Sequence, residues 1–280
     1  MTESVKILII LVLYRQSLEE SRSYHSLKKN LSHLAQPHQL ILFNNSPERT
    51  ITHSDIEATI VNAQENGMLA KAYNHALTVA QQEHYDWIML FDQDSEPDAD
   101  YFKQVSKAIE TVGKNVAAIV PHIISDGQVI SPSEYSAIAG PFGSVKPVKL
   151  PIKSNKYINA INSCSVIRTE SIASIGGFDE RFPLDYLDCW YFYQFHKRKY
   201  DIEILDVTIP HNLSILSPLK MGDKRYRDYM KSCARFSNNT QFSHRVFFKL
   251  RTLLRCAKML FFPQRWVLLK PTFAAIFYKE

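Results

Sequence analysis

The run Asp86-Trp87-Ile88-Met89-Leu90-Phe91, leading into Asp92-Gln93-Asp94-Ser95, constrains this chain more than any other stretch. An apolar run of that length bounded by a polar turn cluster reads as a central strand. Strand residues at i and i+2 point the same way, so Asp92 and Asp94 are expected to face one ligand together. Such a pair suits an octahedral divalent ion, Mg2+ or Mn2+, that keeps some waters and takes its other ligands from substrate phosphate oxygens. The alternative is a strand that ends in a solvated acidic turn, because Asp, Ser and Pro97 are ordinary turn residues. The rest of the sequence decides between them.

From Val5 to about Asn115, strand-like runs alternate with helical patterns, the signature of an α/β fold with a mostly parallel sheet. The expected order is a strand over Lys6 to Leu13, a helix over Ser21 to Leu34, and a second strand over Gln39 to Phe43 ending in the turn Asn44-Asn45-Ser46-Pro47. A short third strand covers Thr59 to Asn62. Asn66 then caps a helix in which Leu69, Ala72, Tyr73, Ala76, Leu77 and Ala80 form one apolar stripe. After the acidic turn come a helix near Ala99 to Val112 and a strand from Val116 to Val120 that Pro121 closes. Asp126 to Asn155, rich in Ser, Gly and Pro, reads as a long irregular or hairpin insertion of the kind that covers a site. Ile158 to Ile167 returns to strand character, Glu170 to Ile175 is a short helix stopped by Gly176-Gly177, and Ile202 to Ile209 is a last strand.

Bulk properties exclude several classes. A chain of 280 residues with 45% hydrophobic content can build a sizeable core and is not a disordered tail. Cys164, Cys189, Cys233 and Cys256 show neither metal-binding spacing nor a disulfide framework, and they read as reduced, cytosolic thiols. The apolar run Ile7 to Leu13 is too short to span a bilayer and reads as a first buried strand.

Asp185-Tyr186-Leu187-Asp188 opens a helical pattern that runs through Trp190 to Arg198. Carboxylates there are ordinary partners of a helix N-terminus; one of them held rigidly opposite a metal site can also take the proton of an attacking hydroxyl. Asp188 is the candidate base, with Asp185 placed to position acceptor hydroxyls. His211, following the last strand, is a candidate third metal ligand or diphosphate partner. Asn44 and Asn45 can offer a carbonyl oxygen to the N3–H of a pyrimidine.

The order of these motifs resembles the inverting family 2 glycosyltransferases with a GT-A fold. The resemblance rests on the strand ending at Tyr14, the N-N-S turn at Asn44, E-N-G-M-L-A-K-A-Y-N from Glu65 to Asn74, F-D-Q-D-S from Phe91, I-G-G-F-D-E from Ile175 and L-D-Y-L-D from Leu184. It implies a nucleotide-sugar donor whose base is held after the first two strands, with Tyr14, Asn44, Asn45, Asn66 and Asn74 among the substrate-binding residues. It places Asp92 near ribose and metal, Asp94 on the metal, Asp188 as base and His211 over the diphosphate. D-Q-D-S with L-D-Y-L-D looks most like the rhamnosyltransferase branch, which uses dTDP-L-rhamnose to build bacterial surface polysaccharides. The chain departs from the family pattern at Met68 and Cys164, where glycine is frequent, at Asn44, where aspartate is common, and at Cys189-Trp190 after the base. A nucleotidyltransferase is the enzymatic rival, but Tyr14-Arg15-Gln16-Ser17-Leu18 lacks the glycine-rich phosphate loop of that class.

The expected division is a catalytic domain over 1–219 and a basic, aromatic helical extension over 220–280. From Lys220 onward, 14 basic residues stand against three acidic ones, a net of +11 that leaves −6 for the rest. Arg245 to Arg251 and Lys258 to Trp266 alternate basic and aromatic residues, the composition of a helix lying in a membrane interface. The expected partners are therefore a nucleotide-sugar donor, a lipid-linked saccharide acceptor and the inner face of the plasma membrane, with no nucleic acid. The alternatives are a pair of helices packed on the catalytic domain and a catalytically silent binding module.

Overall fold

A computed structural model describes residues 4–125, 127–135, 157–211 and 221–279. The chain divides into two units, Met1–Glu134 with Val145–Asn212, and Tyr135–Ser144 with Leu213–Glu280.

Among the described residues the first unit carries ten strands: β1 Ile7–Leu13, β2 His38–Asn44, β3 Thr59–Asn62, β4 Trp87–Phe91, β5 Val116–Ser125, β6 Gln128–Ser131, β7 Ser133–Glu134, β8 Ile158–Asn159, β9 Val166–Arg168 and β10 Asp201–Pro210. Its helices are α1 Arg22–Asn30, α2 Met68–Gln82, α3 Ala99–Thr111, α4 Thr169–Ser174 and α5 Leu187–Lys197. The main sheet has the order β10-β5-β9-β4-β1-β2-β3, with β6 paired to β5. The pairs β1–β2, β1–β4, β2–β3 and β5–β10 are parallel, whereas β9 runs antiparallel between β4 and β5. All seven residues of β1 and all five of β4 are buried, which is why both read as unbroken apolar runs and not as alternating ones.

Helix α2 packs on β1 and β4. Its buried residues Ala70, Ala72, Ala76 and Ala80 are small, which lets the backbone approach the sheet, while Tyr73 and Leu77 fill the space between. Helix α3 packs on β5 and β10. Asp98 caps it by accepting the N–H groups of Asp100 and Tyr101.

Four expectations need correction. The first helix ends at Asn30, and a 3-10 turn, Leu31–His33, finishes the segment. Gly67, not Asn66, occupies the cap position of α2, although Asn66 Oδ1 still accepts the Met68 N–H at 3.0 Å. Pro121 does not close β5. Pairing of β5 with β9 stops at Ile119, pairing with β6 begins at Ile123, and the register of β10 shifts between Ile204 and Thr208. The proline thus sits at an irregularity, where a strand tolerates a missing N–H. Finally, Ile158 to Ile167 is not one strand. β8 joins β7 in a separate two-stranded sheet, a turn follows, and β9 enters the main sheet reversed. Most of the insertion expected over Asp126 to Asn155 lies outside the described residues.

Among the described residues the second unit contains three α-helices, α6 Asp223–Asn238, α7 Phe242–Leu260 and α8 Trp266–Ala274, where a pair was the alternative expectation for a packed tail. Tyr226 Oη and Thr272 Oγ1 share a buried hydrogen bond of 2.8 Å, tying α6 to α8. Asn238 Nδ2 donates to the Tyr278 carbonyl at 2.9 Å.

Candidate functional site

The C-terminal ends of β1, β2, β4, β5 and β10 share one edge of the sheet, the place where open α/β sheets bind ligands. Asp92 and Asp94 follow β4 at that edge, and His211 follows β10. The three side chains offer ligand atoms that all lie within 4.8 Å of one another. His211 Nε2 stands 3.7 Å from Asp92 Oδ2, and its Nδ1 stands 3.6 Å from Asp94 Oδ1.

Two serines to which sequence reasoning gave no role hold this cluster. Ser95 Oγ donates to Asp92 Oδ1 at 2.8 Å and lies 3.2 Å from His211 Nδ1. Ser95 Oγ thus bridges Asp92 Oδ1 and His211 Nδ1, and which imidazole nitrogen donates depends on the tautomer. Ser163 Oγ donates to Asp92 Oδ2 at 2.6 Å. Ser163 reaches the edge because β9 runs backwards, so the turn preceding it meets the end of β4; Leu90 and Cys164 confirm the junction through Cys164 N–H to Leu90 O at 2.9 Å. Ser23, in α1, contacts the Asp92 carbonyl and accepts the Ser95 N–H at 2.9 Å, fixing the acidic turn from the other side. Gln93, between the two aspartates, accepts the Tyr14 N–H at 2.8 Å and so links the ends of β1 and β4.

Burial, and then the neighbouring charge of Asp92, lift the Asp94 carboxyl from its ordinary 3.8 to about 6, with the His211 side chain working in the other direction. Two carboxylates, of which Asp94 is raised by burial, and an imidazole form an O,O,N donor set whose crowded negative charge a hard divalent cation offsets. The residues present therefore fit Mg2+ or Mn2+.

Asp188 lies in the first turn of α5 and is 8% exposed. Burial raises its carboxyl to about 6; the Cys189 N–H, at 2.7 Å from Oδ1, works against the rise, and the charge of Asp185 adds to it. The approach to Asp188 is braced on α2. Asn74 Oδ1 accepts the Phe178 N–H at 2.9 Å and its Nδ2 donates to the Phe178 carbonyl at 2.8 Å, while the Ala70 N–H bonds Pro183 O at 3.0 Å. Gly177, at φ +84, has no room for a side chain: a Cβ there would lie 2.9 Å from Asn74 Oδ1. The fully buried Tyr73 hydroxyl has no hydrogen-bond partner among the described residues. Burial drives its ionisation well upward, and the charges of Asp92 and of Asp188 both add to the effect, so one phenol feels the acidic cluster and the buried aspartate.

Other expected ligand residues are engaged within the protein. Asn44 Nδ2 donates to Arg49 O and Asn62 Oδ1, and its Oδ1 accepts the Ser46 N–H. Asn45 bridges to α2, donating to Met68 O and accepting the Gly67 N–H. A cavity of about 290 Å³ opens beside Asn44, lined also by Gln16, Tyr24, Lys28, Arg49 and His53. Gln16 Oε1 is a buried acceptor there without a partner among the described residues. Tyr14 is 39% exposed with the Arg15 guanidinium over its ring, 5.1 Å from the centroid.

The family model described as glycosyl transferase family 2 matches residues 22–176, more than half of the chain. No curated protein sequence matches. Among solved structures, the mannosyltransferase PcManGT from Pyrobaculum calidifontis, in complex with GDP-Man and Mn2+, superposes with a TM-score of 0.55 at 15% identity, over 98% of this chain and 86% of that one. S. aureus TarS 1-349 in complex with UDP-GlcNAc does so with a TM-score of 0.53 at 11% identity, over 97% and 90%. Those likenesses fix the architecture as GT-A, with its mostly parallel sheet flanked by helices. The chain belongs to glycosyl transferase family 2 and is a glycosyltransferase that takes its sugar from a nucleotide-sugar donor.

Proposed function

We propose that this enzyme transfers L-rhamnose from dTDP-L-rhamnose to a hydroxyl of a lipid-linked saccharide, with inversion at the anomeric carbon, in the assembly of a bacterial surface polysaccharide. The observation that carries the reaction type is the pairing of a three-residue metal-ligand cluster with a buried, proton-hungry aspartate, both felt by the one Tyr73 phenol.

Asp92, Asp94 and His211 would hold Mg2+ or Mn2+, which when bound supplies positive charge against the leaving diphosphate. Ser95 and Ser163 fix both oxygens of Asp92, so the cluster is organised before the donor arrives. Asp188 accepts the acceptor's proton as its hydroxyl attacks from the face opposite the leaving group, and a carboxyl near 6 is ionised yet usefully basic at neutral pH. Asp185 orients acceptor hydroxyls. The cavity beside Asn44 seats the pyrimidine; since Asn44 and Asn45 already bond within the protein, Gln16 Oε1 is the acceptor left for its N3–H.

The donor identity is supported by the D-Q-D-S and L-D-Y-L-D motifs. Room for the thymine methyl group contributes only about 1 kcal/mol, so sugar choice must come from an apolar wall that leaves a 6-hydroxyl unpaired. A UDP-hexose is the second reading, because TarS, of like fold, is seen with UDP-GlcNAc. Parallel transfer assays with dTDP-rhamnose, UDP-glucose, UDP-galactose and UDP-galactofuranose decide between them: faster turnover of any UDP-sugar overturns the rhamnose assignment while leaving the fold and the metal cluster standing.

A further inference from the structure

Helix α7 carries two apolar rows on opposite sides, and only one of them is packed. His244, Phe248, Thr252, Cys256 and Met259 recur at helical spacing and are buried within the second unit. Around the axis from them, Phe242, Val246, Leu250, Leu253, Leu254 and Leu260 form a second row that is exposed, Phe242 by 77% and Leu254 by 64%. The row continues past the end of the helix. Phe261 is 81% exposed, and Phe262, Trp266 and Val267 follow it at the turn into α8 at 46%, 56% and 60%.

At 100° per residue, the exposed row occupies about a third of the helix circumference. Lys249 falls along one margin of it, and Lys258 and Arg251 beyond the other. No acidic residue occurs between Lys231 and Lys279, so the whole face carries one sign of charge. An apolar stripe edged on both sides by cations, with aromatic residues at one end, matches a surface with an anionic outer layer and a hydrocarbon interior. No helix among the described residues is long and apolar enough to cross a membrane, and the charges of α7 fit a helix lying along one.

We propose that the outward row of α7, with the Phe261–Val267 turn, docks on an anionic phospholipid bilayer, the helix axis lying in the plane of the headgroups and Phe261 and Trp266 reaching the acyl boundary. The charge pattern selects this occupant. A second copy of the chain would bring the same cation rows against each other, and duplex nucleic acid would leave the apolar row exposed to water. The docking does not depend on which sugar is transferred.

The test uses the full chain and sedimentation with vesicles of phosphatidylglycerol and phosphatidylcholine in equal parts, against vesicles of phosphatidylcholine alone. Wild type is expected to bind the anionic vesicles at least tenfold better, with the preference shrinking as salt rises. Leu254→Glu with Phe261→Glu should lower binding at least tenfold. Lys249→Glu with Lys258→Glu should remove the anionic preference. All four positions are exposed, and unchanged melting temperatures verify that the variants fold. Transfer to a water-soluble saccharide acceptor should be unaltered in both variants, whereas Asp188→Asn should keep full vesicle binding, so a failed docking surface is told apart from a failed catalytic assignment. Vesicle binding by the variants equal to wild type overturns the proposal. So does a concentration-dependent dimer that the same substitutions abolish, or tighter binding to duplex DNA than to anionic vesicles.

Discussion

Replacing Asp188 by asparagine should make the enzyme more stable and almost inactive, and the two effects have one origin. Burial raises this carboxyl from 3.8 to about 6, so at neutral pH the folded protein holds a charge that the unfolded chain carries more easily. A rise of about two pKa units corresponds to about 3 kcal/mol. The sign follows from linkage: between the two values the folded state binds the extra proton, so the favourable contribution is complete below about pH 4 and lost as pH climbs through about 6. The amide never ionises, keeps an oxygen for the Cys189 N–H and nearly matches the carboxylate in size. Asp188→Asn should therefore match wild type near pH 4 and exceed it by up to about 3 kcal/mol above pH 7, roughly 5 °C in melting temperature for a chain of this size. Donor affinity should persist while transfer falls ~10²–10⁴-fold, since an amide cannot take the acceptor's proton. Wild-type transfer should itself decline as pH drops through about 6. Thermal melts from pH 4 to 8, with transfer assays on the same samples, provide the check. A variant no more stable than wild type at pH 8, or a stability difference independent of pH, would refute the argument.

Asp94→Ala should abolish metal-dependent binding of a nucleotide diphosphate in a folded protein, measured by calorimetry with and without Mn2+; unchanged affinity removes Asp94 from the ligand set. Asn74→Ala strips both backbone partners from the buried Phe178 and should destabilise by about 2–4 kcal/mol in urea melts, with the loss extending to transfer because the same loop leads to Asp188. Met68→Gly should stabilise by about 0.5–1 kcal/mol, because Met68 sits at φ +57, where a side chain is strained and glycine is not; an equal loss in denaturant melts would contradict that reading.

The cluster of Asp92, Asp94 and His211 was half visible in the sequence. The run through Phe91 announces a central strand, and the i, i+2 spacing announces two convergent carboxylates, because both are local periodicities. His211 could be singled out only as a histidine after a strand, since its approach to Asp92 depends on β10 lying beyond β5 and β9 in the sheet order. Ser163 lay deeper still. The run from Ile158 to Ile167 has the composition of one strand, and nothing local distinguishes that from two short strands joined by a buried turn in different sheets. Asn44, Asn45 and Asn74 were legible as important polar residues and not as the pins they are. A turn asparagine that holds backbone groups and one that holds a ligand leave the same trace in a sequence.

The two departures at glycine positions gain their meaning from backbone angles. Met68 has φ +57 and Cys164 has φ +60, so each sits in the left-handed region that glycine enters freely and a side chain enters at about 1–2 kcal/mol. The chain keeps the strained geometry at both places instead of relaxing it, and the surroundings show why. Cys164 is wholly buried; its N–H bonds Leu90 O at 2.9 Å and its carbonyl accepts the Tyr101 hydroxyl at 2.7 Å, while the adjacent Ser163 reaches Asp92. Met68 O accepts the Asn45 amide, and its N–H is held by Asn66, between the end of β2 and the start of α2. Each left-handed residue is thus locked by side chains from another element, and each lock sits beside the edge where Asp92 and Asp94 emerge. Relaxing Cys164 to an ordinary φ is expected to move Ser163 relative to Asp92 Oδ2 and leave Ser95 as the remaining serine on that carboxylate. The strained backbone at Cys164 thus lies next to the serine that holds one oxygen of Asp92.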